Sequence, residues 1–170
     1  MNNETTTDAA RGTFRINVED EVSPLKTVIV HRPGREMERL TPPNHDHLLF
    51  DDLLSPGRAR EEHEYFVTQM QDQGVVALEF MDLFEETLKN PEAKEFVLEH
   101  TINYKRLGPL LSPSLKSWAD SLTPEQTAHL CVEGITKSEW EKIAEVPSLV
   151  AQTLNEDDFL IGPLPNHLFT

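Results

Sequence analysis

Two short apolar runs, separated by a helical stretch, constrain this chain most. The first, Thr27 to His31 in "LKTVIVHRPG", is β-branched and apolar, and Pro33-Gly34 ends it. That is the signature of a short buried strand opening into a turn. From Ala59 to Gln73 the pattern is helical, with Tyr65, Phe66 and Met70 set among Glu and Gln. Gly74 follows, where a left-handed C-terminal cap is wanted. "VVALEF" then reads as a second strand. Two strands joined through a helix imply a parallel or mixed sheet, and so an α/β fold.

The next seventy or so residues change character. Asp82 with Glu85, Thr123 with Gln126 and Thr136 with Glu139 each form a capping-box pattern. Asn90-Pro91 sets a cap beside a first-turn proline. These signals predict four or five helices between Asp82 and Val146, bundled with Leu, Ile and Trp118 or Trp140 inward. "LGPLLSP" reads as a proline-broken connection among them. Strand character returns at Phe159 to Ile161. A helical block between strand-bearing segments looks like an inserted helical subdomain. Before the first strand, residues 1–20 are polar and read as disordered. No internal repeat or low-complexity run is present.

Charge and cysteine content narrow the classes of function. A formal charge of −15 argues against binding a phosphate backbone, which wants a basic face. No run of 18 apolar residues exists, so no helix is expected to cross a membrane. The N-terminus lacks a signal-peptide layout, which makes a cytoplasmic location the expectation. One cysteine, Cys131, leaves no intramolecular disulfide.

Read residue by residue, the chain offers no complete active site. His45, Asp46, His47, Asp51 and Asp52 crowd "NHDHLLFDD", but no further His or Cys lies at ligand spacing to complete a metal site. His63 in "EEHEYF" lacks a second His four residues on, so the zinc-protease pattern fails. Cys131, two positions after His129, sits between two capping boxes in an apolar helical context. It reads as a small core residue rather than a nucleophile. His31 closes a strand, where its tip could face a site or serve a structural role.

Two stretches together resemble bacterial arginine deiminase. "SPLKTVIVHRPGREMERLTPPNHDHLLFDD", Ser23 to Asp52, looks like that family's N-terminal strand and loop. "DFLIGPLPNHLFT", Asp158 to Thr170, is similar to its Pro-x-Pro-Asn-x-x-Phe-Thr-Arg-Asp pattern. The middle segments "EEHEYFVTQMQDQGVVALEFMDLFEETL" and "EGITKSEW" fall at comparable places. The resemblance covers about Ser23 to Thr170. The family pattern continues with Arg-Asp, so the expectation is an N-terminal fragment, truncated before the catalytic residues.

The resemblance implies an α/β propeller of the guanidine-modifying superfamily, here partial. Residues 21–81 would form the first blade, 82–150 the inserted helical subdomain, and 151–170 the truncated return to the propeller. It implies hydrolysis of L-arginine to L-citrulline and ammonia through a covalent cysteine intermediate, with no metal and no cofactor. No catalytic residue falls in this chain, which alone is expected to be inactive. Part of the substrate pocket carries over: Leu49 in "LLF", and Asn166 and Phe169 in "NHLF". Assembly into a homo-oligomer stays open. Two rivals stand beside this reading: a stand-alone, non-catalytic acidic interaction module, and the same fold acting on a methylated arginine. The size of the helical insertion argues against the latter.

Overall fold

The computed structural model describes residues 18, 20–48, 50–144 and 152–165. The two apolar runs form strands β1 (Thr27–Val30) and β2 (Val76–Glu79). They pair in parallel, from Thr27 opposite Val76 to Val30 opposite Glu79. A parallel pair needs a crossover, and α2 (Pro56–Asp72) supplies it. Pro56 stands in the first turn of α2, where its missing N–H costs nothing. Gly74 ends the helix at φ 82°. Its N–H donates to the Gln71 carbonyl at 2.9 Å, and the Val75 N–H to Met70 at 3.1 Å. This paired closure is the Schellman motif. The strand–helix–strand expectation is met, and the sheet is parallel. Between β1 and α2 lie the short helix α1 (Arg35–Glu38) and a 3-10 turn at Asp46–Leu48.

The helical block follows as α3 (Phe80–Leu88), α4 (Pro91–Thr101), α5 (Tyr104–Asp120), α6 (Pro124–Glu133) and α7 (Lys137–Glu141). The Thr123/Gln126 and Thr136/Glu139 capping boxes both form, and Asn90 accepts the Glu92 N–H at 2.9 Å. The Asp82/Glu85 box does not form. β2 runs into α3 without a loop, so Glu79 is the cap position and Asp82 already lies in the first turn. The break expected over "LGPLLSP" contracts to a single residue, Gly108, at φ 77° and ψ 176° within α5. A two-residue strand, β3 (Ile135–Thr136), also interrupts the helices, pairing antiparallel with β4 (Phe159–Ile161). The expected end of the block at Val146 and the polar segment 1–17 lie outside the described residues.

The apolar core belongs to this block. Leu98, Leu107, Leu111, Leu115, Ala119, Cys131, Ile135, Trp140, Leu160 and Ile161 form one buried cluster. Trp140 is buried as expected, and Trp118 packs edge-on against it at 5.4 Å. Gly134 joins α6 to β3 at φ 72°, a conformation that disfavours any side chain. A Cβ there would also lie 2.3 Å from the Ile161 carbonyl oxygen. Glycine thus lets β4 close onto the end of α6. Among the described residues, no helix is long and apolar enough to cross a membrane.

Candidate functional site

The C-terminal ends of parallel strands are where open α/β sheets present their working residues. Here β1 ends beside His31 and β2 ends on Glu79. A cleft of about 370 Å3 opens at this point. One wall holds His31, Glu36 and Glu79; the facing wall, from α6, holds His129, Val132 and Glu133.

His31 lies between two carboxylates. Its Nε2–H donates to Glu36 Oε1 at 3.1 Å, and Nδ1 lies 3.4 Å from Glu79 Oε1. Glu36 is only 2% exposed, which a lone carboxylate would not tolerate. It survives there because it also accepts the Gly34 N–H at 2.5 Å. Glu79 accepts the Arg32 N–H at 3.0 Å. Phe80 meets the His31 ring edge-on at 5.8 Å. Burial alone would pull the His31 pKa down, but the two carboxylates outweigh it and push it up to about 9. Burial would raise Glu36 and Glu79 as well. The hydrogen bonds from His31 and from backbone N–H groups hold both below the ordinary carboxylate value instead. At neutral pH the cluster is therefore one imidazolium between two carboxylates. An imidazole kept protonated to such a pH is a poor general base. The cluster acts as a charged brace at the mouth of the β1 loop.

The other singled-out residues fall into structural roles. Cys131 is buried and receives the Thr101 hydroxyl at 3.7 Å. Burial pushes its thiol up, away from the thiolate that a nucleophile needs. His45 bonds through Nδ1–H to the Phe50 carbonyl at 2.8 Å, closing its own loop. Among the described residues, no three His, Cys, Asp or Glu side chains gather to hold a metal ion. His129 pairs with Glu133 one turn on, at 2.6 Å. Leu49, Asn166 and Phe169, the expected pocket residues, lie outside the described residues. Glu36 and Glu79 were not legible as partners of His31. The available signal was Glu79 closing the second of two strands expected to run parallel, which brings its side chain next to the end of the first.

The arginine deiminase family model matches residues 46–170. The chain belongs to the arginine deiminase family. It is also 37% identical over 162 residues to the arginine deiminase of Rhodococcus erythropolis, which covers 95% of this chain and 40% of that protein. The chain thus spans less than half the length of that curated relative. The family match takes in Glu79 of the brace, while His31 and Glu36 precede it.

Proposed function

We propose that the protein carrying this chain hydrolyses L-arginine to L-citrulline and ammonia. The observation behind this reading is the 37% identity extending over 95% of the chain. In the proposed reaction a cysteine thiolate attacks the guanidinium carbon and ammonia leaves. Water then displaces the thiolate to give citrulline, so protein groups and water suffice. Cys131 is not that thiolate, being buried with a raised pKa. The nucleophile is assigned to residues beyond these 170, and the 170-residue chain by itself is expected to form no citrulline.

This chain's contribution is part of the substrate pocket. Leu49 closes over the substrate, Asn166 supplies directional hydrogen bonds, and Phe169 packs on the alkyl stem or guanidinium plane. In architecture, we assign residues 21–81 to the first blade of an α/β propeller and 82–150 to a helical insertion in it. Residues 151–170 return the chain to the propeller.

A chimera tests the reading. Residues 1–170 replace the matching part of the Rhodococcus protein, and citrulline is measured colorimetrically. Turnover of arginine is expected, with Asn166→Ala and Phe169→Ala raising KM. A folded chimera without turnover would favour the non-catalytic acidic module. The methylated-arginine reading predicts instead that dimethylarginine is the better substrate.

A further inference from the structure

We propose that Arg39 is a positioning residue: through Glu139 it seats the loop 31–48 on the helical block and so fixes the width of the cleft. The inference goes beyond the arginine reading and does not depend on it. Three features of the geometry carry it.

First, Arg39 reaches three separate elements at once. Its Nη2 donates to both carboxylate oxygens of Glu139, at 3.1 and 2.9 Å, and to the Gly134 carbonyl at 3.3 Å. Its guanidinium lies 5.4 Å over the Phe159 ring of β4. One side chain thus touches the end of α6, the start of α7 and the returning strand. Second, its own backbone anchors the loop. The Arg39 carbonyl accepts the Asn44 amide at 2.9 Å, and Asn44 Oδ1 accepts the Thr41 N–H at 2.7 Å. Third, the cleft lies between the two bodies that this contact joins. His31, Gly34 and Glu36 line it from the loop, and His129, Val132 and Glu133 line it from α6.

Exposure separates Arg39 from its neighbour. Arg35 also reaches Glu139, and it lies 3.8 Å from Glu133, but its side chain is 54% exposed. Water and salt screen such a pair to a small contribution. The Arg39 side chain is 9% exposed and Glu139 is 24% exposed. Glu139 already accepts the Thr136 N–H at 2.9 Å as the third residue of the α7 capping box, so the helix fixes it before Arg39 arrives. One Nη2 shared between both oxygens of a preset carboxylate is a positional constraint as well as a charge-assisted attraction.

The test measures the separation across the cleft. Nitroxides are placed on the 170-residue chain at Thr41→Cys and Glu125→Cys, both exposed positions, with buried Cys131 left unlabelled. Pulsed electron paramagnetic resonance then gives the distance distribution. In the parent chain it should be narrow. Arg39→Gln should broaden it, while Arg35→Gln should leave it unchanged. Glu139→Gln keeps a capping residue that serves at this position but loses the charge. It should broaden the distribution as Arg39→Gln does, and combining the two should add nothing further. Far-UV circular dichroism shows which variants remain folded, and Glu139→Gln serves if Arg39→Gln does not. A folded variant of Arg39 or Glu139 with the parent's distribution overturns the proposal. So does an Arg35→Gln distribution as broad as that of Arg39→Gln.

Discussion

The helical block and the strand–helix–strand unit are built on opposite principles. The block buries a contiguous apolar cluster, with Leu98, Leu111 and Leu115 fully covered and Trp140 1% exposed. The strand unit has little of this kind. It buries Val30, Met37 and Leu40, and α2 buries no residue at all. Ile29 on β1 stays 51% exposed, and Tyr65 and Phe66 on α2 stay open. What the strand unit does bury is charge, in Glu36 and the His31 ring. One region is held by non-directional burial and tolerates surface change. The other is held by a few directional contacts, and losing one leaves an uncompensated charge. A cleft between two such regions has one apolar-backed wall and one electrostatically set wall.

The largest test of this contrast is a cavity mutation in the block. Leu111→Ala should cost about 2–5 kcal/mol, because its neighbours cannot close the space. Ile29→Ala, on the open face of β1, should stay within about 0.5 kcal/mol. Urea melts followed by circular dichroism measure both. Equal costs would mean that the strand unit has a core comparable to that of the block.

Next in size is the charged brace. Glu36→Gln keeps the shape of the side chain but removes the negative charge beside His31. It should cost about 1.5–3 kcal/mol, the range for hydrogen bonds to charged groups. The same change at Glu62, whose pair with Arg58 is exposed at both ends, should fall below about 1 kcal/mol. If the two substitutions cost the same, the strand unit is not held by its buried charge.

A pH series sharpens the comparison further. The folded pKa of His31 lies above its ordinary value of 6.5, at about 9. Between those values the folded state holds a proton that the unfolded state has lost. The stabilisation from His31 is therefore complete below about pH 6.5 and disappears as pH rises through about 9. Glu36 and Glu79 are shifted the other way, below 4.5. Their stabilisation is present above that value and is lost as pH falls through their lowered folded values. The strand unit should be most stable between about pH 4.5 and 6.5, whereas the block should respond weakly over the same range. Nuclear magnetic resonance titration of the His31 ring reads this directly. A midpoint near 6.5 would remove the brace from the account.

How much of this was legible in the sequence follows the same division. Local signals translated faithfully. Thr123/Gln126, Thr136/Glu139 and Asn90-Pro91 each became a formed cap, since a cap needs only residues within one turn. Gly74 became a closing glycine for the same reason. Signals that depend on distant partners did not translate. β3 is two residues long, and only its pairing with β4 makes it a strand. The Asp82/Glu85 pattern was sound locally, but β2 had already launched the helix at Phe80. In the candidate site, His31 was visible as a polar tip at a strand end, while Glu79 sits 48 positions away and joins it only through the parallel register. Glu36 was nearer, but nothing in "HRPGRE" announces a buried carboxylate. The proposed pocket residues Leu49, Asn166 and Phe169 came from family resemblance, because their neighbours carry no chemical pattern of their own.

The last expected effect concerns Cys131, where the two ways of building this molecule meet in one side chain. It lies in the apolar cluster beside Ile135 and Trp140, yet it carries a group that could ionise. Burial pushes its thiol up, and only the long contact from the Thr101 hydroxyl opposes that. The site therefore behaves as core, and its chemistry should be silent. Cys131→Ala removes one sulfur from a packed position and should cost about 1–2 kcal/mol, less than Leu111→Ala because the cavity is smaller. Cys131→Ser would keep the size but place a hydroxyl where, among the described residues, Thr101 offers one long polar contact, so it should cost more than the alanine. A charge-dominated site would give the reverse order, since serine can share a hydrogen bond and alanine cannot. In the native chain a thiol reagent should react only as fast as the block opens, and rapid labelling without unfolding would show an accessible thiolate. In the chimera with the Rhodococcus protein, Cys131→Ala should leave the expected turnover of arginine intact. Loss of turnover in a folded variant would return Cys131 to the chemistry.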